Sequence, residues 1–259
     1  MKRIELFGLR LPVVQKDDSI AELILKAVEK TPSLNLKDQD ILIIASKAVS
    51  ASQGRRIHLD SLQPSKNAQN LAAECGLEPA FVEVALREAE KILGCVPGAI
   101  LTLSKGIVQA NAGVDRSNTP PGTAILLPNA PDASAGEIRK TVYEKTGLKL
   151  AVIIGDSRTT PLRRGTSGIA LGISGMGAVI DDRGKTDLFG NQLRITWRAL
   201  ADNCCSAAQL LMGESDEQVP VVLIRGVPID ASGSKERMIS PEQCLFFGTA
   251  LKDKLGEAE

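Results

Sequence analysis

Apolar and polar residues fall along this chain in blocks that switch between a strand-like and a helix-like period. Arg3–Phe7 reads as a strand, and Asp40–Ala45 as a buried one, because its run of Ile and Leu offers no polar face. Between them, Asp18-Ser19-Ile20-Ala21-Glu22 opens a helix. Ser19 with Glu22 makes a capping box, and Ile20, Leu23, Ile24 and Ala27 make one apolar stripe. Pro79 at a first helical turn begins a helix over Ala80–Leu93, closed by Gly94. Ala99–Leu103 and Ile107–Gln109 flank Ser104-Lys105-Gly106 as a hairpin, and Ala124–Leu127 is a further short strand. Asp132–Thr146 reads as a helix stopped by Gly147, and Leu148–Ile154 as a strand leading into Gly155-Asp156-Ser157. Ala199–Met212 is a helix ended by Gly213, Val219–Arg225 a strand, and Pro241–Leu255 a final helix. The alternation places the chain in the mixed α/β, or α+β, class.

No fixed-period repeat or low-complexity segment interrupts this pattern, so the chain reads as a single domain over residues 1–259. The one subdomain boundary it offers lies at Asn129–Ala135, where a Pro-containing loop follows a strand. Two Gly-rich stretches, Gly165–Gly177 and Gly184–Gly190, read as loops of a binding surface, since glycine lets backbone approach a ligand closely.

Composition narrows the function classes. The 31 basic and 31 acidic residues cancel, so no global field favours nucleic acid or an anionic membrane. Aromatics are only 3% of the chain, too few for a base-stacking platform. The first residues carry no apolar signal-peptide core, and no apolar run is long enough to span a bilayer. Five cysteines, an odd number without a CxxC, read as reduced thiols of a cytoplasmic protein. A single histidine, His58, excludes a His-rich zinc site.

Four stretches concentrate chemistry. Ala110-Asn111-Ala112-Gly113-Val114-Asp115-Arg116-Ser117-Asn118 crowds a carboxylate, amides and a hydroxyl behind a strand; Asp115 suits a hard cation, and Asn118 a base or a phosphate. The same residue types are ordinary turn formers, and taken alone the stretch reads first as a turn. Gly155–Thr166 follows a buried strand with Asp156, Ser157 and three arginines, Arg158, Arg163 and Arg164. Asp156 with Ser157 suits Mg²⁺ or Mn²⁺, and the arginines suit phosphate or carboxylate groups; a solvated basic loop accounts for the same residues equally well. Asp181–Gly190 reads first as turns, and Leu211–Glu217 as a glycine-capped helix end followed by solvated acids. No GxxxxGK[ST] occurs, so phosphate is not held by a P-loop.

Taken in order and spacing, these stretches resemble the coenzyme F420-0:gamma-L-glutamyl ligase family. The resemblance begins at Gly8-Leu9-Arg10-Leu11-Pro12 and continues through Ile41–Ser50 and Gly54-Arg55. It runs on through Ala110–Asp115 with Ser117-Asn118, Asp156–Pro161, Arg163-Arg164-Gly165, Asp182-Arg183-Gly184, Ala201-Asp202, Met212-Gly213 and Arg225-Gly226. It implies an unusual α+β fold paired as an intertwined homodimer. It also implies a GTP-dependent ligase that activates a carboxylate of F420-0 as an acyl phosphate, joins L-glutamate to it, and then adds gamma-linked glutamates. Two divalent cations, Mg²⁺ or Mn²⁺, accompany the nucleotide in such enzymes, and K⁺ assists.

Residue by residue, the resemblance implies that Asp115 and Asp156 hold the first metal, and Ser157 and Glu214 the second. Leu11-Pro12-Val13-Val14, Ser46-Lys47, Asn118 and the stretch Met212–Val219, with Met212-Gly213 at its head, line the nucleotide site. Arg163 and Arg164 join Asp115 and Asp156 as catalytic candidates. Ala51 stands where the family has a nucleotide-contacting lysine, and Asp156-Ser157-Arg158-Thr159-Thr160-Pro161 replaces Asp-Thr-Phe-Gly-Arg-Pro. Two other readings stay open on the sequence: a glutamate ligase acting on a folate- or tetrahydromethanopterin-type acceptor, and a non-catalytic relative that binds a deazaflavin or pteridine.

Overall fold

In the computed structural model, residues 3–231 and 233–250 are described. The chain makes β1 (Glu5–Leu9), α1 (Ile20–Glu29), β2 (Ile41–Ala45), α2 (Ser46–Ser52) and β3 (Arg56–His58). It continues with α3 (Lys66–Cys75), α4 (Pro79–Glu88), β4 (Lys91–Val96), β5 (Ala99–Ser104), β6 (Ile107–Ala110) and β7 (Thr123–Ile125). Then come α5 (Pro131–Thr146), β8 (Ala151–Thr159), β9 (Thr166–Ser174), β10 (Ile180–Asp181), β11 (Trp197–Arg198), α6 (Leu200–Met212), β12 (Val221–Arg225) and α7 (Leu245–Ala250). Two compact units result. One joins the residues up to Leu59 with Asp115–Glu236; the other joins Asp60–Val114 with the residues from Arg237 on. The stretch Asn129–Ala135 lies inside the first unit. Among the described residues no helix is long and apolar enough to cross a membrane.

The first unit is built on a sheet of order β1-β12-β2-β8-β9, in which only β2 and β8 run parallel. At its centre Ile41–Ala45, Ala151–Gly155 and Val221–Ile224 are apolar on every residue because both faces are covered. Leu42, Ile44, Val152, Ile154 and Leu223 pack under Ile20 and Ile24 of α1 and Ile138 and Val142 of α5. Ile41, Ile43, Ile153, Val222 and Ile224 pack on the opposite face with Ala201, Cys204, Cys205 and Ala208 of α6. At the sheet's end, Arg225 grips buried Asp40 with two parallel hydrogen bonds, of 2.8 and 2.7 Å. This fork ties β12 to the start of β2.

Strand β9 carries one residue more than its partner. Ile154 faces Gly172 and Gly155 faces Ala170, leaving Leu171 as a bulge. Because side chains alternate, the extra residue turns Gly168 and Gly172 to opposite faces although they are four apart. A Cβ on Gly168 would lie 2.3 Å from the backbone of Cys205 in α6; one on Gly172 would lie 2.3 Å from the backbone of Pro131 at the start of α5. Both helices therefore seat on bare strand backbone. Gly155 serves the same contact from β8, with Cys205 Sγ 2.8 Å from the place of its Cβ.

The second unit packs α3 and α4 with the meander β4-β5-β6 around Ala68, Ala72, Cys75, Val82 and Ile100. Here one expectation fails. The helix that the pattern runs to Leu93 ends at Glu88, and Lys91–Val96 is a strand. Glu90 N–H donates to the Leu103 carbonyl at 2.9 Å, so pairing with distant β5 takes over where helix would otherwise continue. Gly94 is part of that strand, at an irregular step in its register. The expected hairpin is present, with Lys105 and Gly106 both left-handed in its turn.

Two further expectations change. Strand β8 does not stop at Ile154; it continues through Gly155, Asp156 and Ser157 to Thr159, paired with β9, so most of the Gly165–Gly177 stretch is strand and not loop. Of the final helix over Pro241–Leu255, the described part is a short 3-10 turn at Pro241–Gln243 and α7, while 251–255 lie outside the described residues. Gly147 ends α5 at φ 73° as expected, and Ser19 accepts from the Glu22 amide, but only this half of the expected capping box forms, since the Glu22 carboxylate pairs with Lys145 of α5 at 2.9 Å.

Gly168→Ala drives a methyl into helix backbone that cannot yield. It should cost about 3 kcal/mol or more and lower the melting temperature by several degrees. Gly136 lies inside α5 with nothing nearer to its missing Cβ than Ser174 Oγ at 4.0 Å. Gly136→Ala should instead stabilise by roughly 0.5–1 kcal/mol. Thermal melts of the two variants should move in opposite directions from wild type.

Candidate functional site

A cavity of about 340 Å³ opens in the first unit, at the end of β2 and β8 where the sheet's two parallel strands deliver their next residues. One wall is Leu11-Pro12-Val13-Val14, the loop after β1. The next is Ser46, Lys47, Ala48 and Ala51 of α2. The floor is Gly155-Asp156-Ser157 of β8. The last wall is the end of α6 and the following loop, from Gln209 through Met212-Gly213-Glu214 to Pro220. Asn118 and Arg56 complete the lining. Twelve of the residues proposed from sequence therefore meet in one place: Leu11, Pro12, Val13, Val14, Ser46, Lys47, Asn118, Asp156, Ser157, Met212, Gly213 and Glu214.

The polar end is an electrostatic cluster. Lys47 Nζ lies 2.6 Å from Asp115 Oδ2 and also donates to Ser117 Oγ. Asp115 sits beside the lining, with its backbone paired to Ile125, and accepts from the Ser117 amide and hydroxyl, each at 2.9 Å. Burial pushes its pKa up, but Lys47 and the Ser117 donors outweigh it, and the net value lies below the ordinary one. Asp156 behaves oppositely. Burial lifts it from 3.8 to about 6, against the pull of the Ser157 amide, Lys47 and the Ser46 hydroxyl; the negative charge of Asp115 adds to the rise. Its Oδ1 accepts from the Ser157 amide at 2.9 Å. Two neighbouring carboxylates thus differ: Asp115 is already compensated by an ammonium, and Asp156 is short of positive charge.

The opposite wall is held by side chains that reach across. Glu214 Oε1 accepts from Thr166 Oγ1 at 3.2 Å and Gln209 Nε2 at 3.1 Å, which orients its carboxylate. Asn118, left-handed at φ 55°, donates through Nδ2 to the Ser215 carbonyl at 2.9 Å. Asparagine tolerates that backbone region, and its amide pins the loop after α6 while its Oδ1 stays available.

Arg163 and Arg164 are not brought to this cavity. They lie exposed in the turn between β8 and β9, and Arg158 is exposed near the end of β8. The acids of Asp181–Asp187 also stay apart. Asp182 is buried between Lys185 and Arg198, whose side chains hold it down to about 2, and Asp187 folds its own loop through Asn191. Residues that the sequence reading passed over are Arg56, Cys205 and Gln209. The two on α6 are four apart and share its inner face, a signal visible only once that helix is known to border a site. Arg56 carries no local signal at all.

Whether the lining suits a divalent cation can be judged from its donors. Asp115, Asp156, Ser157 and Glu214 offer only oxygen, the preference of Mg²⁺ and Mn²⁺. Asp156 carries the charge deficit that a cation relieves, and the Lys47 ammonium already stands beside Asp115. Among the described residues no three His, Cys, Asp or Glu side chains form a ready-made cage. Mg²⁺ needs none, since one or two carboxylates, waters and substrate phosphates complete its shell. The residues fit such an ion.

The family described as F420-0:Gamma-glutamyl ligase matches residues 8–226. The protein named Coenzyme F420:L-glutamate ligase in Methanopyrus kandleri is 45% identical over 215 residues, 83% of each chain. Its namesake in Methanocaldococcus jannaschii is 41% identical over 93% of this chain and 96% of its own. That of Methanothermobacter thermautotrophicus is 39% identical over 94% and 98%.

The raised pKa of Asp156 predicts a pH signature. The folded state binds a proton that the unfolded state has released, so stability from this group is full below pH 3.8 and is lost as pH rises to about 6. In EDTA, the stability of Asp156→Asn relative to wild type should rise by on the order of 2 kcal/mol between pH 4 and pH 7. Melting curves across pH 4–7 measure this; parallel curves for the two proteins would contradict it.

Proposed function

The chain belongs to the F420-0:gamma-glutamyl ligase family, and from that premise we propose a GTP- and divalent-metal-dependent ligase. It adds L-glutamate to coenzyme F420-0 and then extends the product with gamma-linked glutamates. The observation that carries this reading is Asp156, a charge-deficient carboxylate on the floor of an oxygen-lined cavity beside Lys47 and Asp115.

The chemistry demands such a site. A carboxylate does not condense with an amine at neutral pH, because its leaving group would be oxide. In the proposed sequence a carboxylate oxygen of the acceptor attacks the γ-phosphorus of GTP and GDP departs. The glutamate amine then attacks the acyl carbon, loses a proton, and expels phosphate as the amide forms. Both partners of the first step are anionic, so their repulsion must be screened. Asp115, Asp156, Ser157 and Glu214 would hold the divalent cations, which supply Lewis-acid charge stabilisation to the transferring phosphoryl group. Lys47 contributes a fixed positive charge at the same end. Leu11–Val14 and the loop 213–218 embrace the nucleotide, and the apolar side chains of Leu11–Val14, Met212 and Val219 exclude the water that would hydrolyse an acyl phosphate. K⁺ belongs to the same proposal as an auxiliary cation, and the cytoplasm is the compartment that five free cysteines suit.

We also propose that the enzyme works as an intertwined homodimer. Leu162 at the β8–β9 tip and Leu188, Phe189 and Ile195 in the loop between β10 and β11 are almost wholly exposed, and a second copy would bury them. On this view Arg163 and Arg164 act from that same tip. Light scattering at micromolar concentration should give twice the chain's 27.5 kDa; a monomer mass would reject the dimer.

The catalytic reading is tested by phosphate release from GTP with Mn²⁺, L-glutamate and F420-0. Release should need all four components and stop with EDTA. Asp156→Asn keeps shape and removes charge, so turnover should fall by about 10³-fold or more, with the melt at pH 7 no lower than wild type. Normal turnover in this variant would remove Asp156 from the mechanism.

A further inference from the structure

We propose that Arg56 is a substrate-binding residue whose guanidinium donates to an anionic oxygen, of a phosphate or a carboxylate, on the molecule that fills the cavity. This rests on the reading of the cavity as the substrate site. Arg56 is the first residue of β3, held opposite Ile125 by the β3–β7 ladder, and it lines the cavity. One of its five N–H groups is committed: Nη2 donates to the Val14 carbonyl at 3.1 Å. That bond anchors the head against the same loop that forms the apolar wall.

The Nε–H is buried and meets no hydrogen-bond acceptor. Folded proteins leave few buried donors unpaired, because each forfeits its hydration without return. Arg56 lines the cavity, and a small turn of its head brings this donor to an acceptor that arrives with a ligand. The charge balance points the same way. Of the two cations on the lining, Lys47 is spent on Asp115 and Ser117, whereas no carboxylate among the described residues pairs with Arg56. Ala51, which lines the same region, brings only a methyl group. Arg56 is therefore the cation that the protein itself leaves uncompensated, and guanidinium geometry suits phosphate and carboxylate oxygens alike.

The test uses the full-length protein and the variants Arg56→Gln and Arg56→Lys. Calorimetry with GTP and with guanosine in Mn²⁺, and KM values for GTP, L-glutamate and F420-0, are measured beside the melting temperature. Arg56→Gln should weaken one anionic substrate by tenfold or more with only a small change in the melt, because the lost bond to the Val14 carbonyl is offset by removal of an unpaired buried donor; Arg56→Lys should recover part of the loss. A loss for GTP that guanosine does not share assigns the phosphates. A raised KM for glutamate or F420-0 with GTP affinity intact assigns a carboxylate. Affinities and KM values within twofold of wild type overturn the proposal, as does a variant that fails to fold, which would make Arg56 structural. Wild-type protein that neither binds GTP nor turns over glutamate would reject the ligase reading and this inference with it. Wild-type activity with a normal Arg56→Gln rejects this inference alone.

Discussion

The first unit depends on how closely α6 approaches β8 and β9. Cys205 and Ser206 lie on bare backbone at Gly155 and Gly168, a contact that no Cβ would allow. That approach buries one face of the sheet. It also carries Gln209, Met212 and the loop after Gly213 to the end of β8, where Asp156 waits. A helix held a side chain's width further out would still cover the sheet, but Glu214 would no longer meet Thr166 of β9. The cavity is a by-product of tight packing, and its far wall is the continuation of a core helix.

What the sequence could disclose divides along the line between local and distant causes. Ser19, Gly147 and Gly213 act on the turns they belong to, so the helices they bound are readable from neighbours alone. The run from Ala80 to Leu93 is apolar enough for helix throughout. Its last residues, Lys91–Leu93, become strand only because Ala99–Ser104 lies alongside, and no residue within the run announces that partner. Gly155–Thr159 misled in the other direction, since polar residues after an apolar strand look like a loop until their pairing with β9 is known.

The candidate site follows the same division. Asp115, Asp156, Ser157, Asn118 and Glu214 stand in stretches dense with chemistry, and their spacing along the chain carried the resemblance that brought them together. Arg163 and Arg164 stood out for their charge, but charge has no direction in a sequence, and the hairpin turns them away from the cavity. Arg56 was invisible for the converse reason. It sits among unremarkable neighbours, and only the β3–β7 pairing and the Val14 carbonyl aim it inward.

The bulge at Leu171 gives β9 something like a reading frame. Residues on either side of it are assigned to faces by parity, and the extra residue shifts that parity once. Loss of a single residue there would leave composition and hydropathy almost unchanged. Yet Gly168 would turn toward α5, and its larger neighbours would meet the backbone of α6. Length at this point is therefore as informative as identity. Among homologous chains, a gap placed in the middle of β9 would mark a different architecture, where a gap at the 160–165 turn would mark only a different tip.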